Sequence, residues 1–379
     1  MGFKIGWLTW EQRKLGDVTD IKTGSRNHQD SVENGKYPFF VRSEKIERLD
    51  EYDFDTKAIL IPGDGRIGEI FHYYDGKFAL HQRVYKVDNF NGIDALFLLS
   101  LFRYSFRRHA LRLNAQGTVP SLRLPMFTKW EILLPKLEEQ EKIGQLFQSL
   151  DRTITLHEEK QRQLEQLKKA LLQKMFADKK HPKPELRFKS FHDNWIDHKA
   201  GDFMIERNQK ATIDDDFPLK AFIANKGVAD KGERYDRSAI TNDASNKMYK
   251  RTLFNDFIYS SNNLETGSIG LNKYGNASIS PVYSIFYFKN KESADFFGRI
   301  LVRKEFINSM IRYRQGVVYG QWKIKEKDFL NISISVPSLE EQEKIGSLLD
   351  KLDETINVNS KLLNQLKVLK KSLLQNMFI

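Results

Sequence analysis

The sequence predicts an α+β protein written twice: a globular block and a long helix, then a second similar block and a second similar helix, with the two helices pairing along a repeated seam. Three observations carry this reading. Residues 134–176 and 336–378 align without a gap and share 24 of 43 positions, including an EEQEKIG box and an LLQ-x-MF ending. The segments before them match at a distance: WEQRKLGDVTDIKTG from Trp10 with WIDHKAGDFMIERNQ from Trp195, and FTKWEILLP from Phe127 with FLNISISVP from Phe329. Within each block, short β-type runs alternate with amphipathic helical stretches. The implied division is 1–133, 134–178, 179–335 and 336–379.

In the first block, AILIP and WEILL read as strands, and ALFLLSLFRYSFRRHALRL from Ala95 reads as an amphipathic helix. GDGRIG, residues 63–68, matches G-x-G-x-x-G. The β-like EIFHYY follows it where a dinucleotide site needs a helix, so it reads as a turn beside a strand. The first long helix starts with Glu138, Glu139 and Glu141 and ends with Lys168, Lys169 and Lys174, the charge order that a helix dipole favours. No proline interrupts it from Glu138 to Phe176, which gives a helix of roughly 58 Å. Its heptad-spaced seam is Ile143, Leu150, His157, Leu164 and Leu171; the second copy has Ile345, Leu352, Asn359, Leu366 and Leu373. One polar residue at the same seam position of each copy costs stability and fixes register. Either the helices pair with each other or each packs on its own block; equal length and equal pattern favour pairing. ADKKHPKPELRF, with Pro182 and Pro184, reads as a solvated connector. In the second block YSIFYF reads as a strand and ADFFGRILVRKEFINSMIRYR as an amphipathic helix.

A chain of 379 residues exceeds one ordinary core, and 40% hydrophobic with 29% charged residues suits a globular protein. The absence of cysteine excludes disulfides and thiolate zinc sites and fits the cytoplasm. No apolar run is long enough to span a membrane, and MGFKIGWLTWEQRK lacks the features of a secretory signal. Ten of the eleven excess positive charges fall in the two blocks and one in the helices. That distribution points to a polyanion partner for the blocks, or to a generally basic surface. No P-loop, H-E-x-x-H, G-x-S-x-G or Asn-Pro-Pro-aromatic motif occurs, and the eight histidines have no ligand spacing. The sequence therefore offers no catalytic centre, cofactor site or metal site of its own.

Base edges are read by Arg, Lys, Asn and Gln, while phosphates need only charge and small donors. In the first block such residues concentrate at Arg26, Asn27 and Gln29; at Arg42 and Lys45; at Arg66 in the glycine turn; and at His81, Gln82 and Arg83. The second block has Arg207 and Lys210, then Tyr249 and Lys250, then Asn262 and Asn263. An arginine followed by Gln-Gly recurs before the last strand of each block, which adds Gln116 in the first and Arg314, Gln315 and Tyr319 in the second.

With these motifs in place, the chain resembles the DNA-specificity subunit of type I restriction–modification systems. The resemblance rests on the duplicated P-x-L-E-E-Q-E-K-I-G box with its long helix, on W-E-Q-R-K-L-G-D at Trp10, and on P-E-L-R-F at Pro184 before Trp195. The first half departs from the pattern, having no P-x-L-R-F before Trp10. The resemblance implies two target-recognition domains, each reading half of a bipartite double-stranded DNA target, and helices that pair antiparallel as a coiled-coil spacer. It implies two methyltransferase subunits as partners and two restriction subunits in the full enzyme. S-adenosylmethionine, ATP and magnesium would belong to those partners. Helix-face charges such as Glu158, Glu159, Arg162 and Glu165 are then either a docking surface or a solvated face. The alternative function is a coiled-coil scaffold without sequence-specific DNA binding. A self-contained methyltransferase or nuclease with a divergent site is the enzymatic alternative.

Overall fold

Both long helices form, and both are divided between two units. The structure, a computed structural model, describes residues 10–114, 120–177, 182–230, 247–317 and 320–378. Unit 1 comprises Met1–Glu159 with Ser360–Ile379, and unit 2 comprises Lys160–Asn359. Each unit thus takes one globular block, the first part of that block's own helix or its counterpart, and the closing part of the other helix.

In unit 1 the elements run β1 (Glu11–Lys14), α1 (Leu15–Val18), β2 (Asp20–Thr23), β3 (Tyr37–Phe40), β4 (Ile46–Leu49), β5 (Phe54–Pro62), β6 (His72–Leu80) and β7 (Val84–Asp88). Next come α2 (Ala95–Leu101), a π-helical turn at Phe102–Phe106, and α3 (Arg107–Leu113), which together cover the helix predicted from Ala95. Then follow α4 (Leu124–Thr128), β8 (Glu131–Leu134) and the long α5 (Leu137–Lys174). The sheet order is β2-β7-β5-β6-β3-β4, antiparallel except for β3 beside β6. β5 is central, so its unbroken apolar run AILIP is buried, as a strand covered on both faces requires.

Unit 2 contains β9 (Ile196–Lys199), α6 (Ala200–Phe203), β10 (Met204–Glu206), β11 (Lys210–Ala211), β12 (Ala221–Ile223), β13 (Gly227–Ala229), β14 (Tyr249–Thr252), β15 (Phe257–Tyr259), β16 (Ile269–Leu271), β17 (Ala277–Ile279) and β18 (Ser284–Phe288). After them come α7 (Ala294–Ile300), α8 (Lys304–Ile311), β19 (Gln315–Val317), β20 (Gln321–Lys323), α9 (Glu326–Leu330), β21 (Ser333–Val336) and the long α10 (Leu339–Met377). A four-stranded sheet β10-β18-β15-β16 carries the core, beside the three-stranded β11-β14-β17. The β9–β21 pair repeats the β1–β8 pair of unit 1. The single helix expected from Ala294 is two: Arg303 adopts an extended backbone between α7 and α8. Its guanidinium donates to the Leu172 carbonyl at 2.8 Å and lies over the Phe176 ring.

The repeated box is a fastening. In unit 1, Gln140 is buried; its amide donates to the carbonyl of Pro135 at 2.8 Å and accepts from the Asp94 N–H at 2.9 Å. Ile143 is in the core, and Gly144 sits so close to α2 that a Cβ there would lie 2.5 Å from Asp94 Oδ1 and 2.7 Å from the Phe97 nitrogen. In unit 2, Gln342 donates to the Pro337 carbonyl at 2.9 Å, and a Cβ on Gly346 would lie 2.9 Å from the Phe296 nitrogen. Glu341 is buried and held by Arg187 of the P-E-L-R-F segment at 2.9 and 2.6 Å.

The Met-Phe endings close the opposite cores. Phe378, after α10, is buried in unit 1 against Phe97, with ring centroids 5.4 Å apart, and 6.4 Å from Trp10. Phe176, after α5, is buried in unit 2 against Phe296 at 5.5 Å and 6.4 Å from Trp195. The same Trp-Phe-Phe triad therefore seals each unit, and in each the last Phe comes from the other copy of the repeat. Aromatic contacts of this kind contribute about 0.5–1.5 kcal/mol beyond the apolar area buried.

Candidate nucleic-acid interface

In unit 1 the turns that follow strands gather the polar residues singled out in the sequence. Arg26 and His81 form a parallel bridge; the Gln82 N–H donates to the Arg26 carbonyl at 2.9 Å, and Gln82 Nε2 donates to Asn27 Oδ1 at 2.6 Å. The Arg83 carbonyl accepts from the Gly63 N–H at 2.7 Å, which brings in the glycine turn. Gly65 and Gly68 there have φ of +76° and +65°, and β6 follows the turn, so it is not a dinucleotide loop. Gln29, Lys45, Gln82 and Arg83 are exposed.

Three of the arginines carry carboxylates. Arg26 donates to Asp53 at 2.8 Å and Glu51 at 2.9 Å, Arg42 to Asp64 at 3.2 Å, and Arg66 to Glu69 at 2.9 Å and Glu44 at 3.1 Å. The bonds from Asp53 and Glu51 raise Arg26 above its ordinary pKa. These pairs fix where each guanidinium points, and phosphates or base edges would have to compete with the acids for it. His81 is buried, and burial pushes its imidazole below the usual histidine range. The expectation of a base contact from His81 is withdrawn: it supports the loop from inside, its Nδ1 accepting from the Arg83 N–H at 2.9 Å. Gln116 lies outside the described residues.

Unit 2 forms two polar groups. In the first, β11 and β14 set Lys210 opposite Lys250 and Ala211 opposite Tyr249. Lys210 is exposed and Tyr249 half-buried. Lys250 is buried; it donates to the Tyr283 carbonyl at 2.9 Å, and burial lowers its pKa. A base contact from Lys250 is likewise withdrawn. Arg207 is clamped to the buried Asp256 at 2.7 and 3.1 Å and stacks on Tyr287, so it props the sheet.

The second group joins the turn after β15 to the β19–β20 ribbon. Asn262 Oδ1 accepts the Trp322 N–H at 2.6 Å, and Arg314 grips Glu265 at 2.8 and 2.6 Å. The Arg314 bonds hold the Glu265 carboxyl below its usual range. Asn263 and Gln315 are exposed beside them. Tyr319 lies outside the described residues. The exposed Trp322 on this ribbon was missed by sequence reasoning, although RQGVVYGQW contains it.

Along the helices, Ile143, Leu150, Ile345, Leu352 and Asn359 are buried, and His157, Leu164, Leu171, Leu366 and Leu373 are half-buried. In unit 1, Lys367 pairs with Glu158 at 2.6 Å and Lys370 with Asp151. In unit 2, Asn359 Nδ2 donates to Gln161 Oε1 at 2.9 Å and Lys168 pairs with Asp353 at 2.5 Å. Within each unit, then, residue numbers fall along α10 as they rise along α5, so the helices run antiparallel. Glu158 serves this pairing, and Glu165 accepts from Gln161 at 2.8 Å.

Residues 8–166 and 199–368 each match the type I restriction modification DNA specificity domain. The chain belongs to that family. A type I restriction enzyme specificity subunit of Methanocaldococcus jannaschii, MjaX, is 24% identical over 96% of this chain and 92% of its own length. The EcoDI specificity subunit of Escherichia coli is 29% identical over 165 residues, 43% of this chain and 35% of that subunit. The crystal structure of a type I restriction-modification S subunit from M. genitalium superposes with a TM-score of 0.65 at 18% identity, covering 100% of this chain and 98% of that one. This likeness confirms the family's two-domain α+β fold. Among the described residues no helix is long and apolar enough to cross a membrane, and no group of three or more metal-ligating side chains occurs.

Proposed function

We propose that each globular block reads one half of a bipartite double-stranded DNA target. The first half-site falls to 1–133, through the turns carrying Arg26, Asn27, Gln29, Arg42, Lys45, Arg66, Gln82 and Arg83, with Gln116. The second falls to 179–335, through Lys210, Tyr249, Asn262, Asn263, Arg314, Gln315 and Tyr319, with Arg207 positioning the sheet. The helices at 134–178 and 336–379 pair along their seam, fix the gap between half-sites and dock two methyltransferase subunits. Two restriction subunits complete the assembly. S-adenosylmethionine, ATP and magnesium are held by those partners, in the cytoplasm. The observation that carries this reading is the duplication itself: the same box and the same aromatic seal fasten two different polar surfaces to one repeated scaffold.

The test is selection from a pool of random DNA duplexes by the chain with its methyltransferase partner. Two short motifs separated by an unspecified gap are expected. Retention of no sequence at low salt would favour the plain scaffold reading. Methyl transfer to DNA from labelled S-adenosylmethionine by the chain alone would refute the non-catalytic role. Lengthening both helices should change the gap and leave both motifs intact.

A further inference from the structure

The β19–β20 ribbon of unit 2 exposes Gln315, Gly316, Gln321 and Trp322, while Lys323 is half-buried. Its register sets Gln315 opposite Lys323 and Gly316 opposite Trp322. Opposed residues of an antiparallel pair share a face, so Gln315 and Lys323 lie on one side and Trp322 on the other. Gln315 and Gln321 are exposed, and Trp322 is 48% exposed. By contrast Trp130 and Trp195 are only 6% and 7% exposed, and Trp10 packs on Phe97 and Phe378. Beside the indole is open space, because a Cβ on Gly316 would meet nothing within 4 Å. The ribbon is nonetheless held at its base. The main-chain N–H of Trp322 donates to Asn262 Oδ1 at 2.6 Å, that of Ile324 donates to Ser261 Oγ at 3.0 Å, and Arg314 grips Glu265. A fixed backbone therefore presents a large apolar side chain to solvent on one face, with Gln315, Gln321 and Lys323 on the other.

The major groove admits a two-stranded ribbon, amide side chains pair with adenine there, and apolar side chains contact the thymine methyl. We propose that Trp322 makes an apolar contact with a thymine methyl group in the half-site read by unit 2, and so determines specificity at that base pair. The inference rests on the proposed function. It also predicts an asymmetry between the halves. Trp322 lies seven residues before Phe329, and the position seven residues before the corresponding Phe127 is Pro120.

The test uses the full chain and the duplex that wild type selects from a random pool. Each thymine is replaced in turn by deoxyuridine, which removes only the methyl. One replacement, in the second half-site, should weaken wild-type binding about three- to fivefold, as expected for losing one buried methyl. Trp322→Ala should bind wild-type duplex more weakly with an unchanged Tm, and should be indifferent to that deoxyuridine. Trp322→Tyr should recover part of both effects. Two results overturn the proposal: Trp322→Ala binding like wild type, or binding weakly yet keeping the full deoxyuridine penalty. If wild type selects no sequence at all, the DNA-reading function falls and this inference with it, an outcome distinct from the other two.

Discussion

Arg187→Met is expected to destabilise unit 2 more than any surface charge change. Glu341 is 1% exposed and the Arg187 side chain 13%, and two bonds of 2.9 and 2.6 Å join them. Little water reaches the pair, so the weak value of a surface ion pair does not apply. Removing the guanidinium leaves a buried carboxylate uncompensated, at a cost of about 3–5 kcal/mol. For a unit of this size each kcal/mol lowers Tm by about 2–4 °C, so a drop on the order of 10 °C is expected by calorimetry. Replacing both partners, Arg187→Met with Glu341→Met, should recover most of the loss, because no charge is then stranded. A drop of less than about 2 °C in the single variant would refute the reasoning, as would a double variant as unstable as the single one.

Gly144→Ala should cost about 1–3 kcal/mol, because its Cβ meets the backbone of α2; unfolding in urea measures this. Burial holds His72, His81 and His109 below the ordinary 6.5, so the unfolded chain takes up protons first. The stability present above pH 6.5 is then lost as pH falls through the folded-state values, and Tm should decline between pH 7 and 5; a flat profile would contradict this. Asn359→Leu should raise Tm and at the same time admit alternative helix pairings, seen as extra species in size-exclusion chromatography.

Much of the fold was legible because periodicity shows which face of an element is buried. The seam of the long helices, AILIP, WEILL and the helix from Ala95 all follow from that signal. Periodicity does not show what covers a face. That Phe378 seals the block containing Trp10, and Phe176 the block containing Trp195, depends on contacts between residues far apart in sequence. The arginine-rich turns were legible as polar loops, but the acids that hold Arg26 lie at Glu51 and Asp53, on the far side of two strands. Lys250 and His81 looked like any surface cation or donor in the sequence; only the packing of β14 and of the turn after β6 places them inside. The break at Arg303 left no proline or glycine to announce it; the guanidinium's partners, Leu172 and Phe176, come from the other helix.

The most direct test of the account is the methylated-adenine motif in the DNA of cells whose specificity subunit has residues 1–133 exchanged for the corresponding block of a relative. Independent reading by two blocks on a shared spacer predicts that one half-site changes while the other half-site and the gap are kept. A change in both half-sites, or in the gap, would contradict it.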